Sequence, residues 1–125
     1  NYMIRRLFIL ILFTSCYSVN RDCNDFKTGK FEFTYELNDT IQKSTFTRTL
    51  NYEIEEYNGV IDSSSISWVN NCEFTLTKLN PRTNQEKRPV RVKILRTYKD
   101  SYDFEYSNIN EPILIRRGKV KRIKD

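Results

Sequence analysis

Three cysteines, no histidine and one dense run of carboxylates are what this chain of 125 residues offers to chemistry. Without histidine there is no Ser-His-Asp or Cys-His relay, because such nucleophiles need an adjacent base to take the proton. Glu53, Glu55 and Glu56 lie in a stretch of extended character, so Glu53 and Glu55 share one face and Glu56 takes the other. The alternation puts Glu53 and Glu55 on an outward face, where two like charges are solvated and do not form an acid/base pair. Asp62-Ser63-Ser64-Ser65 can accept hydrogen bonds in a turn, yet it lacks the ligand count of a calcium loop. Gly29, Gly59 and Gly118 are too far apart for a phosphate-binding loop. The expectation is a protein that is not an enzyme and takes no cofactor or metal.

Cys16 belongs to a different chemistry. Arg5 and Arg6 precede an unbroken apolar run, Leu7 to Phe13, and the small residues Thr14 and Ser15 lead into Cys16. Seven apolar residues are far short of the roughly 20 needed to span a bilayer, so the segment reads as an export signal rather than an anchor. The order resembles the lipobox of bacterial lipoproteins, with Phe13 where Leu or Val is usual. That resemblance implies a lipid on Cys16 and cleavage before it; a plain secretory signal cut near Ser15 is the alternative. The domains expected are a signal peptide at 1–15, a tether at 16–22 and a folded domain at 23–125.

Cysteine parity follows from this. With Cys16 lipidated, Cys23 and Cys72 remain as a pair in a compartment where disulfides persist. A bond between them would close a loop worth about 4 kcal/mol in the chain-entropy model. Two unrelated buried thiols, or half of a metal site, are the alternatives. No histidine and no second close-spaced cysteine stand by to complete a zinc site.

Removing 15 of 125 residues leaves 110, enough for one domain with one core. The whole chain carries 21 basic and 16 acidic residues, but the charge is divided unevenly. Residues 17–81 hold six basic and ten acidic groups, and residues 82–125 hold thirteen and six. Arg91, Lys93, Lys119, Lys121 and Arg122 form a candidate basic surface for an acidic partner; a solvated sheet face is the plainer reading.

The elements that must position these groups are strands. Phe31, Phe33 and Tyr35 alternate with polar residues, as do Cys72, Phe74 and Leu76, and Val90, Val92 and Ile94. Further short runs fall at 45–50, 52–57, 63–69, 102–106 and 118–123, which makes about eight strands. Turn signals separate them, Asn38-Asp39 and Asn58-Gly59 among the clearest. Eight short antiparallel strands with local turns are most economically buried as a meander closed into a small barrel. A two-sheet sandwich is the competitor. The aromatics Phe31, Phe33, Tyr35, Trp68, Phe74, Tyr102, Phe104 and Tyr106 then either line an apolar pocket or fill the interior.

The runs Cys23 to Phe33, Ile61 to Phe74 and Phe104-Glu105-Tyr106 resemble a group of short lipoproteins of flavobacteria and their relatives, across most of residues 23–123. The resemblance implies a lipocalin-like β-barrel and brings no activity. Some of that group bear the name DNA topoisomerase IV, which finds no support here: such an enzyme is far longer and needs a winged-helix tyrosine site with acidic metal ligands. In lipocalin-like barrels an early Gly lies beside an aromatic residue and a late Arg that together close one end. Gly29 and Arg116-Arg117 match that order, with Phe31 where a Trp is usual.

The combined expectation is a monomeric, lipid-anchored barrel of the cell envelope, delivered to the outer membrane and facing the periplasm, with no nucleic-acid partner. It would hold a small apolar or amphipathic ligand; the alternative is a filled barrel docking an envelope protein through its basic surface. The two part on interior volume, since a void of a few hundred Å³ favours the first.

Overall fold

The computed structural model describes residues 21 to 123, with backbone only for 35 to 37. The signal segment, Cys16 and most of the tether lie outside the described residues, as does the side chain of Tyr35. A short 3-10 turn, Cys23–Phe26, leads into eight strands: β1 Gly29–Leu37, β2 Thr40–Arg48, β3 Tyr52–Tyr57, β4 Val60–Asn70, β5 Glu73–Lys78, β6 Val90–Thr97, β7 Ser101–Asn108 and β8 Glu111–Arg122. They pair antiparallel in chain order, and β8 returns to β1 to close the barrel. The expected meander is the one formed.

Turn chemistry explains the tightest hairpins. Asn38, Asp39, Asn58 and Gly59 all have positive φ, the geometry of two-residue hairpin turns whose twist suits the flanking strands. Because the strands alternate in direction, the β1–β2, β3–β4, β5–β6 and β7–β8 connections share one end of the barrel. The 3-10 turn plugs the other.

That plugged end is solid. Cys23, Phe26, Phe31, Phe74, Ile94 and Tyr102 are fully buried there. Phe26 stacks edge-on against Tyr102, with ring centroids 5.2 Å apart, and Phe31 lies flat against Phe46 at 5.3 Å. Such pairs add about 0.5–1.5 kcal/mol each beyond their area burial. The expected disulfide is present: Cys23 and Cys72 are bonded, with Cα atoms 5.3 Å apart, and tie the plug to the β4–β5 corner.

A late arginine does close this end, but it is Arg122 rather than Arg116 or Arg117, both of which are exposed. The reason is register. Arg122 pairs with Phe31 across the β1–β8 ladder, which sets its guanidinium 5.0 Å from the Phe31 ring and 5.3 Å from that of Phe26. It donates hydrogen bonds to the carbonyls of Asp25 and Thr28. Gly29 makes room for it, since a Cβ there would collide with Arg122 Nη1.

The opposite end is looser. The β1–β8 ladder runs from Phe31↔Arg122 to Thr34↔Lys119, so among the described residues the first half of β8 has no ladder partner on that side. Between Tyr106↔Arg116 and Asn108↔Glu111, β8 has surplus residues that bulge from the ladder. Ile113, Leu114 and Ile115 in that bulge are exposed.

Candidate functional site

A cavity enters the barrel from the hairpin end. Its inner compartment has a volume of about 250 Å³ and an apolar wall that includes Phe33, Phe46, Phe74, Val92, Phe104 and Val120. An outer compartment of about 390 Å³ is walled by Ser64, Lys78, Gln85, Glu86, Arg88 and Asn108. Glu53, Glu55, Leu76 and Val90 border both, so the two adjoin. Gly118 keeps the inner wall in place: a Cβ there would lie 2.7 Å from Phe33 and 2.9 Å from Phe104.

Five of the aromatics singled out from sequence line this cavity: Phe33, Phe74, Tyr102, Phe104 and Tyr106. Phe31 and Trp68 do not, because they pack beneath it. Trp68 lies against Phe74 at 4.7 Å, with Lys27 Nζ 5.1 Å from its ring. Its buried Nε1 finds no acceptor among the described residues.

The floor of the cavity is ionic, which the outward placement of Glu53 and Glu55 did not anticipate. Both turn inward. Antiparallel partners share a face, and the inward Trp68–Phe74 and Ile66–Leu76 pairs of β4 and β5 set the phase of β4. Ser64 therefore faces in, and so does its partner Glu53 on β3. Tyr52 and Ile54 are left on the outside, half exposed. The ladder phase has overridden the hydrophobicity of β3 itself.

Arg48 makes this arrangement tolerable. It is buried and faces Glu53 across the β2–β3 ladder, donating from Nε to Glu53 Oε2 at 3.2 Å. Nη1 donates to the Phe26 carbonyl at 2.9 Å, and Nη2 to the Tyr102 hydroxyl at 2.8 Å. The rings of Phe31, Phe46, Phe74 and Tyr102 surround the guanidinium at 4.8 to 5.7 Å. A buried charge is acceptable only when its donors are matched in this way. Burial raises the pKa of the Glu53 carboxyl, and Arg48 only partly counters it. Burial also pushes the Tyr102 hydroxyl up. Arg48 is pulled down by burial, but Tyr102 and Glu53 more than offset that.

One sequence signal pointed to the pair. Arg48 and Glu53 are opposite charges flanking a short hairpin turn, the spacing that makes them cross-strand partners. Ser44, Phe46, Leu76, Val90, Val92 and Val120 are cavity residues that aromatic counting alone passed over.

The candidate basic surface is partly neutralised. Arg91 Nε donates to Glu73 Oε1 at 2.7 Å, and Lys119 sits 3.8 Å from Asp103 and 4.6 Å from the Tyr98 ring. Lys93 and Lys121 lie opposite Glu105 and Glu32 in the ladders. Arg122 is turned to the plug, as described. Among the described residues, no group of three or more Cys, Asp or Glu side chains is placed to hold a metal ion.

Comparison with known proteins adds no relative. No family model, curated protein or solved structure matches the chain. What distinguishes the chain is the cavity: a closed base, aromatic walls and one carboxylate-bearing strand leading to solvent.

Proposed function

We propose that this protein is a lipid-anchored, lipocalin-like barrel of the cell envelope that binds a small apolar or amphipathic ligand in its interior and performs no catalysis on it. The observation that carries the binding reading is the cavity, whose outer compartment of about 390 Å³ falls in the roughly 300–1,000 Å³ range of small-molecule sites while the inner one of about 250 Å³ lies just below it. A docking module with a filled core is disfavoured by that void. Docking through the basic surface is also weakened, because Arg91 and Lys119 already have acidic neighbours.

The anchor rests on the residues before the fold: Arg5-Arg6, the apolar run and Thr14-Ser15-Cys16. The disulfide is consistent with export, since such bonds persist in oxidising compartments. Outer-membrane attachment facing the periplasm is the reading taken, with the barrel acting as a monomer and without nucleic acid.

Two measurements on the membrane-extracted protein test these statements. Native mass spectrometry is expected to show a bound small molecule, or uptake of an added apolar probe at one per chain; no uptake of any probe defeats the binding reading. Peptide mass spectrometry is expected to find acylated Cys16 as the first residue. An unacylated N-terminus elsewhere defeats the anchor.

A further inference from the structure

The charges around the cavity specify more than its volume does, and we infer that the ligand is a cationic amphiphile: a single apolar chain bearing an ammonium group. This rests on the cavity being a binding site. Each basic side chain bordering the cavity is already matched. Arg48 is held by Glu53, the Phe26 carbonyl and Tyr102. Lys78 lies 3.1 Å from Glu86 and 3.7 Å from Asp62, and Arg88 lies 3.2 Å from Glu111. Glu55 is different. It borders both compartments, and among the described residues no side chain donates to it or pairs with it.

Its ladder partners sharpen the contrast. On β2 it faces Phe46 and on β4 it faces Asp62, so Glu53 and Glu55 on β3, which border both compartments, have a further carboxylate beside them on the neighbouring strand. A carboxylate or phosphate head group would meet those carboxylates where each bordering cation among the described residues is already paired. An ammonium would gain Glu55 as a charge-assisted partner, with aromatic faces in the same compartment to favour a cation. The apolar chain then runs inward along the wall formed by Phe33, Phe104 and Val92, towards the closed base. The inner compartment has room for one chain, which argues against a two-chain lipid.

The test uses three probes with the same chain: dodecylamine, dodecanol and dodecanoic acid. Each is titrated by calorimetry at neutral pH into the disulfide-intact protein and into Glu55→Gln. The amine is expected to bind about 5- to 10-fold more tightly than the alcohol, and the acid more weakly than either. Glu55→Gln is expected to remove the amine's advantage over dodecanol, and a thermal midpoint and circular dichroism spectrum like those of the parent protein report that the variant is folded. Equal affinities for amine and acid, or an amine affinity unmoved by Glu55→Gln, overturn the charge assignment while the cavity still binds. Failure of all three probes overturns the binding reading beneath it.

Discussion

Arg48 and Glu53 meet inside the barrel at 3.2 Å, each placed there by the β2–β3 register rather than by its own preference for water. Arg48 also bonds to the plug through the Phe26 carbonyl and to β7 through Tyr102, so one guanidinium joins three parts of the core. Arg48→Met is expected to cost about 3–5 kcal/mol, because it strands a buried carboxylate. Combining it with Glu53→Gln is expected to cost less than Arg48→Met alone. Urea unfolding of the single and double variants checks this; a double variant as unstable as the summed singles would contradict it.

The raised pKa of Glu53 has a sign that can be followed through linkage. Burial makes the folded state hold the Glu53 proton to higher pH than the unfolded chain does. Between those two values the folded state binds more protons, so this group's contribution is fully present below the unfolded pKa and is lost as pH rises through the folded one. Arg48, Tyr102 and Glu55 are the groups that face it. Glu86 acts oppositely: the Arg82 amide and Lys78 hold its pKa down, so its contribution is lost on acidification. Thermal midpoints of the protein and of Glu53→Gln, compared from about pH 4 to pH 8, separate the two, since Glu86 is common to both. The protein is expected to lose stability relative to the variant as pH rises, and a pH-independent difference would refute this.

The Cys23–Cys72 bond joins residues 49 apart in sequence. Replacing both with Ala is expected to lower stability by about 4 kcal/mol. Because Cys23 and Phe26 belong to one 3-10 turn, the plug is the part expected to loosen first. Hydrogen exchange at residues 23 to 31, with and without reductant, reads this directly. Unchanged protection after reduction would show that packing alone holds the plug.

Gly118 stands where Phe33 and Phe104 need space, with ordinary backbone geometry for any residue. Gly118→Val is therefore a test of packing and not of backbone strain. It is expected to cost about 1–3 kcal/mol and to drive the two rings into the cavity. Dodecanol affinity should fall with it. Undiminished binding would mean that the rings move elsewhere and do not form the inner wall.

Much of the fold is legible in the sequence. Alternation in 31–35, 72–76 and 90–94 and the Asn38-Asp39 and Asn58-Gly59 turns are local signals, and they carry the eight-strand meander because strand period and turn conformation are set by neighbours in sequence. Cysteine parity likewise pointed to the Cys23–Cys72 bond. What tertiary structure alone decided is which face of β3 is inside and which arginine closes the base. Tyr52 and Ile54 read locally as the buried face, yet the phase carried round the barrel from Trp68, Ile66 and Ser64 turns Glu53 and Glu55 inward. Arg122 rather than Arg116 or Arg117 reaches Phe31 for the same reason, since ladder register is a long-range quantity. A strand's period belongs to its own residues, but its phase belongs to the closed sheet, and from that phase come both the ionic floor and the place of Glu55 at the cavity's edge.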